Sequence, residues 1–274
     1  MIALVFLDLD GTIIGADGTT ADCVWEAASR AREAGIRLSA CTGRPGLGVA
    51  RRIAKRLGPT TPHIFQNGAV IAYPDGELLQ VTGLKETATR ALIERARDLG
   101  LVLELYTPTS LYVERKTDIS EAHSKLIGIT ALVSDLNDVA ASEPVIRAQW
   151  VIESKHLGEV RKVEAEETQI GVATSPAMAD TYFVSVTKAG VSKGSAVRQV
   201  TRTLKVDPGQ AMAIGDSVGD LSMLEAVGFP VVMGGAPEEL KERFPATVPD
   251  VENCGAAVAL EQALASGGAG GLST

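Results

Sequence analysis

Residues 1–7 read Met-Ile-Ala-Leu-Val-Phe-Leu, seven apolar positions without a polar break, and the run stops at Asp8-Leu9-Asp10-Gly11-Thr12. A continuous apolar stretch closed by a turn signal predicts a strand buried on both faces, as in a parallel sheet. Apolar and small residues then recur at helical spacing across 20–34 and stop at Gly35. A second strand follows at 36–41. Pro45 suits the first turn of a helix reaching about 57, where Gly58-Pro59 ends it. Residues 63–66 predict a short third strand, and 69–73 with 77–81, folded about Pro74-Asp75-Gly76, predict a hairpin.

From Gly83 the rhythm changes. The pattern predicts an amphipathic helix at 84–99, paired strands at 101–106 and 111–115, and a helix at 119–127. A strand at 145–152, a charged helix at 157–167 and strands at 169–173 and 182–186 follow. Helices mixed with hairpin-linked strands indicate an α+β layer. Alternation of strand and helix then resumes: helix 193–204, strand 211–215, a helix through 226, and strands 230–233 and 246–248, each followed by a helix. The predicted fold class is α/β. A Rossmann-like doubly wound parallel-sheet core, residues 1–82 and 188–274, is interrupted by an inserted α+β domain at 83–187.

Ligands in such folds sit beyond the carboxyl ends of the strands, where Asp8 and Asp10 fall. A period of two would point both carboxylates to one side and crowd two negative charges. A hard cation such as Mg²⁺ relieves that crowding. An Asp-x-Asp-Gly turn is the plain alternative. A calcium loop is excluded, because its sixth and twelfth positions hold Ile13 and Thr19 instead of glycine and glutamate.

The 274-residue chain carries a net charge of -8, which disfavours a nucleic-acid partner. No apolar stretch approaches the ~18 residues of a membrane span, and no basic region precedes the N-terminal apolar run, so a cytoplasmic protein without membrane contact is expected. Cys23, Cys41 and Cys254 show no metal or redox spacing and read as buried thiols in a reducing cytosol. Residues 266–274, rich in glycine, predict a flexible tail.

Three further groups stand at predicted strand ends or helix starts: Thr42-Gly43-Arg44, Ser192-Lys193-Gly194-Ser195, and Gly215-Asp216-Ser217 with Asp220. Singly each is a cap or a turn. In this order, after Asp8-Leu9-Asp10-Gly11-Thr12, they resemble the motifs of the haloacid dehalogenase-like phosphohydrolases. The insertion between Thr42 and Lys193 resembles that of the Cof-like group, which carries a type IIB cap. The resemblance implies that Asp8 is the nucleophile and accepts the phosphoryl group as an aspartyl-phosphate. It makes Asp10 the general acid and then the base. It implies Mg²⁺ as cofactor, held by Asp8, the Asp10 carbonyl and Asp216. Thr42 and Lys193, with Gly43, Arg44 and Asn67, would contact the phosphate, and Asp220 and Ser217 would support them. The implied partner is a small phosphorylated metabolite, and the implied assembly a monomer or small homo-oligomer. The implied cap closes over the site, with Arg115, Lys116, His123, Lys125 and Arg147 as candidate contacts.

Two positions depart from the family pattern: Gly219 and Gly235 stand where asparagine is usual. Other chemistries fit less well. Cys41 lacks the arginine six residues later that a cysteine phosphatase needs, the position being Leu47. Ser192-Lys193-Gly194-Ser195 inverts a P-loop, and Gly43 to Gly48 lacks the dinucleotide glycine order. A phosphomutase using the same aspartates, and a phosphometabolite sensor without turnover, are the two alternatives.

Overall fold

The computed structural model describes residues 1–160, 167–175 and 178–268. In chain order its elements begin with β1 (Leu4–Leu7), α1 (Asp22–Glu33), β2 (Arg37–Ala40), α2 (Gly48–Leu57), β3 (His63–Phe65), β4 (Val70–Ala72) and β5 (Leu78–Val81). There follow α3 (Glu86–Leu99), β6 (Leu103–Tyr106), β7 (Leu111–Val113), α4 (Asp118–Ile127), β8 (Leu132–Val133), α5 (Leu136–Ser142), β9 (Arg147–Glu153), α6 (Leu157–Val160), β10 (Thr168–Ser175) and β11 (Met178–Lys188). The last are α7 (Lys193–Leu204), β12 (Ala211–Gly215), α8 (Leu221–Leu224), β13 (Phe229–Met233), α9 (Glu238–Arg243), β14 (Thr247–Val248) and α10 (Gly255–Gly268). Two compact units result: Met1–Pro45, Ala50–Leu79 and Ser192–Thr274 form the first, and Gly46–Val49 with Gln80–Val191 the second.

The first unit is built on a parallel sheet in the order β14-β13-β12-β1-β2. Interior strand β1 pairs Leu4 with Ala211 on one side and with Arg37 on the other. All four of its residues are fully buried, as its unbroken apolar run requires. Each large side chain so buried is worth roughly 1.5–3 kcal/mol. Leu4 and Phe6 pack with Val197 and Val200 of α7 and Met223 and Leu224 of α8. By alternation Val5 and Leu7 face the other side. There α1 presents Val24, Ala27, Ala28 and Ala31, small side chains that admit α10 closely. Helix α7 starts sharply because Ser192 and Ser195 cap each other's backbone, worth about 1 kcal/mol.

The second unit carries a six-stranded sheet, order β10-β11-β9-β6-β7-β8, antiparallel except for β7 with β8. One face packs Leu103, Leu105, Trp150 and Val184 against Leu92 and Ile93 of α3 and Leu136 and Val139 of α5. On the other face Glu104, fully buried, accepts hydrogen bonds from Tyr106 Oη (2.9 Å) and Gln149 Nε2 (3.2 Å), and His123 Nδ1 lies 2.8 Å away. Arg147 stacks 3.9 Å from the Tyr106 ring. His123 and Arg147, candidate substrate contacts by sequence, are thus engaged within this sheet. Among the described residues no helix is long and apolar enough to cross a membrane.

Several expectations change. The helix predicted from Pro45 starts at Gly48, since Gly46 and Gly48, the latter at φ +52°, delay it. Short β8 and α5 had no clear periodic signal; α5 begins where the Asp135 carboxylate accepts from Asn137 N at 2.7 Å. Of the helix expected at 157–167, α6 covers the first turn, and 161–166 lie outside the described residues. The expected tail is helical through Gly268, where Ser266 Oγ bonds Ala263 O (2.6 Å) and accepts from Ile2 N (3.2 Å); 269–274 lie outside the described residues.

Cys23 and Cys254 are not the unpaired thiols expected. They form a disulfide, with Cα atoms 6.3 Å apart, because α1 packs on α10 across 231 residues of sequence. Sequence spacing carries no trace of that contact, and with a disulfide in place the cysteines no longer point to a reducing compartment. Cys41 is a buried free thiol, its pKa pushed up by burial.

Candidate active site

The parallel sheet brings three chain segments to one edge. Strand β1 ends at Leu7 and delivers Asp8, whose amide bonds Ile214 O of β12 at 3.0 Å. Strand β2 delivers Thr42, and β12 delivers Asp216. The start of α7 adds Lys193. Its ammonium is buried between two carboxylates, 2.6 Å from Asp8 Oδ1 and 2.6 Å from Asp220 Oδ1.

Asp220 is fully buried and spends its second oxygen on three donors, Asp216 N, Ser217 N and Ser217 Oγ, each at 3.1 Å. It therefore orients Lys193 and closes the turn that presents Asp216. Backbone without side chains makes this approach possible. At Gly11, φ +74°, an added Cβ would lie 2.0 Å from Asp216 Oδ2, and at Gly215 it would lie 2.6 Å from Asp220 Cβ. These two glycines shape the approach of the two turns in a way that periodicity could not reveal, although Gly11 follows directly on Asp10.

Asp10 stands outside the carboxylate cluster that holds Asp8. The strand ends at Leu7, and a turn in which Thr12, Ile13 and Ile14 all donate to Leu9 O takes the chain out of strand alternation before residue 10. Its carboxylate takes two bonds from Arg44, Nε to Oδ2 at 2.8 Å and Nη2 to Oδ1 at 2.5 Å. The crowded carboxylates are instead those of Asp8, Asp216 and Asp220, which have oxygens within 4.8 Å of one another.

Thr42 is buried, and its hydroxyl accepts from Arg44 N at 3.1 Å. Its carbonyl accepts from Asn67 N at 3.0 Å. Gln66 and Asn67 hold φ of 52° and 54°, an unusual conformation for side-chain-bearing residues, stabilised by bonds to the 42–44 turn. Asn67 Oδ1 lies beside Gly43, 2.9 Å from where a Cβ would stand. The site thus gathers Asp8, Lys193, Asp216, Asp220 and Ser217 in one group, and Thr42, Gly43, Arg44, Asn67 and Asp10 in a bonded neighbouring one. Gly219 leaves Ser217 Oγ 3.3 Å from its missing Cβ, and Gly235 faces only Asp250 Cβ at 3.9 Å.

Burial pushes Asp8 up to about 7 against the pull of Lys193, and burial with the Asp220 charge pushes Asp216 up to about 6. Burial alone would lower Lys193, but Asp8 and Asp220 outweigh it and hold the ammonium above the ordinary lysine range. One ammonium thus faces three carboxylates. With Asp220 saturated, Asp8 and Asp216 retain lone pairs for a hard cation, and their donor chemistry fits Mg²⁺.

Residues 5–260 match the family model described as haloacid dehalogenase-like hydrolase. The chain is 25% identical to the HMP-PP phosphatase of Cronobacter sakazakii, over 93% of this chain and 92% of that protein. It is 24% identical to the 5-amino-6-(5-phospho-D-ribitylamino)uracil phosphatase YwtE of Bacillus subtilis, over 95% and 97%. In fold it is similar to the HAD subclass IIB sugar phosphatase BT4131, with TM-score 0.76 and 20% identity over 94% of this chain and 98% of that one. A match over nearly the whole chain, onto a sheet edge carrying these aspartates and this lysine, places the protein in the haloacid dehalogenase-like hydrolase family.

Proposed function

We propose that this enzyme is a Mg²⁺-dependent phosphatase that hydrolyses small phosphate monoesters through an aspartyl-phosphate on Asp8. The observation that carries the reading is the Asp8 carboxylate, buried at a strand end, 2.6 Å from Lys193 and within 4.8 Å of the nearest Asp216 oxygen. In the first step an Asp8 oxygen attacks phosphorus, the ester P–O bond breaks, and the alkoxide takes a proton from Asp10. In the second, water attacks the aspartyl-phosphate, its proton passes to Asp10, and the Asp8 carboxylate is restored. Lys193 and Thr42 face the non-bridging oxygens, where transition-state charge gathers. Asp8, the Asp10 carbonyl and Asp216 would hold the ion. When bound it supplies positive charge against the phosphoryl oxygens.

The relatives named for phosphorylated metabolites support a small, phosphorylated organic substrate. The test is phosphate release from 4-nitrophenyl phosphate. Wild type should be active with Mg²⁺ and silent in EDTA, and Asp8→Ala should lose turnover while keeping its circular dichroism. Turnover by Asp8→Ala, or unchanged turnover in EDTA, would refute the mechanism.

A further inference from the structure

The Arg44–Asp10 pair is the feature of the site that the two-step chemistry above leaves without a task. Two parallel N–H···O bonds join guanidinium and carboxylate, so both Asp10 oxygens act as acceptors in one plane. Arg44 is itself pinned. Its amide donates to Thr42 Oγ1 at 3.1 Å, and its carbonyl accepts from Gln66 N at 3.0 Å. The pair is about half exposed, with side chains 36% and 54% accessible. Exposed ion pairs add little to stability, so fold maintenance is a poor account of this one. Nor is the Nε–Nη2 edge free to take a phosphate while it holds Asp10.

We infer that Arg44 is a positioning residue for the second half-reaction, the hydrolysis of the aspartyl-phosphate; this rests on the phosphatase reading above. In that step a water oxygen bonds to phosphorus and the P–O bond to Asp8 breaks, its electron pair returning to the Asp8 carboxylate. The water proton goes to an Asp10 oxygen. That oxygen must be a proton acceptor held in one orientation. A carboxylate clamped at both oxygens by a guanidinium meets both conditions and keeps lone pairs for the incoming proton. Expulsion of a good leaving group in the first step needs no such acceptor.

The experiment compares wild type, Arg44→Ala, Arg44→Lys and Asp10→Asn on 4-nitrophenyl phosphate. It reads steady-state constants together with acid-quenched intact mass for phosphate retained on Asp8. Wild type should release phosphate. Arg44→Ala should lose about 10- to 100-fold in kcat, as misplacement of a reacting group costs. KM should fall in parallel, leaving kcat/KM within about twofold, and phosphoenzyme should accumulate. Asp10→Asn should accumulate it as well, and Arg44→Lys, which keeps one charge and no fork, should fall between. A raised KM with unchanged kcat would make Arg44 a phosphate ligand and overturn the inference. A lowered kcat without phosphoenzyme, in Arg44→Lys or in folded Arg44→Ala, would overturn it equally. Inactive wild type would instead remove the phosphatase reading, and the inference with it.

Discussion

Gly11 and Asp216, 205 positions apart in the chain, approach so closely that a Cβ on the glycine would stand 2.0 Å from the carboxylate oxygen. The β1–α1 turn and the β12 turn are thus built around each other, and the gap between them is set by a missing methyl group.

Gly11→Ala should therefore be far more damaging than a surface glycine change. The residue lies at φ +74°, which costs a side chain roughly 1–2 kcal/mol, and Asp216 must also move. A displacement near 1 Å at such a site costs on the order of 100-fold in rate. Phosphate release should fall by about that factor, and Mg²⁺ binding by calorimetry should weaken with it. Gly18→Ala carries the same backbone cost, at φ +78°, but no atom lies within 4 Å of its added Cβ, so it should lower stability alone and leave both intact.

Asp220→Ala removes the partner of a buried ammonium and the acceptor of three further donors. Breaking a buried ion pair from one side typically costs about 3–5 kcal/mol. Chemical denaturation should show a loss of that size, with a lower melting temperature. A loss under ~1 kcal/mol, the range of exposed pairs, would show that Asp220 is not the anchor described.

His63 gives the fold a pH dependence that can be isolated. It is buried, its Nδ1 accepts from Ala40 N at 2.9 Å, and its Nε2 bonds Gly58 O at 2.9 Å, so the neutral ring is the one that fits. Burial lowers its pKa to about 4, against 6.5 when unfolded. The unfolded chain then binds more protons between those values, and stability falls as pH drops from 6.5 toward 4, by roughly 3 kcal/mol in all. Asp8 and Asp216, whose folded pKa values are raised, act in the opposite sense as pH falls below about 7 and 6. The quantity to measure is therefore the wild-type minus His63→Gln difference in unfolding free energy at pH 7 and pH 4.5. No narrowing of that difference on acidification would contradict the assignment.

The Cys23–Cys254 disulfide closes a span of 231 residues. A link of this kind stabilises by roughly 2–4 kcal/mol, largely through the unfolded chain. Under denaturing conditions one thiol, Cys41, should react before reduction and three after it. Reduction, or Cys23→Ser, should lower the melting temperature by several degrees.

Most of the placement of the candidate residues was legible as a linear pattern because parallel sheets write themselves that way. An unbroken apolar run ending in Asp8, a strand ending before Thr42 and a capped helix opening on Lys193 each announce a strand end or helix start. The topology then puts those ends on one edge. The alternation rule failed at Asp10 because it holds only while the strand lasts, and β1 stops at Leu7. The roles of His123 and Arg147 were hidden for a related reason. Glu104 and Tyr106 meet Gln149 and Arg147 through sheet register, which no local spacing encodes.

By itself the amino-acid order determined most of the strands and helices, a parallel-sheet core accompanied by a second sheet, and which residue types stand at the strand ends, since these follow from local periodicity, capping and turn chemistry. Only the tertiary structure decided that Asp10 turns to Arg44, that Asp220 belongs to Lys193, that Gly11 makes room for Asp216 and that Cys23 meets Cys254. Each of those is a pairing across distance, selected by how whole elements pack, and packing is a property of the assembled core.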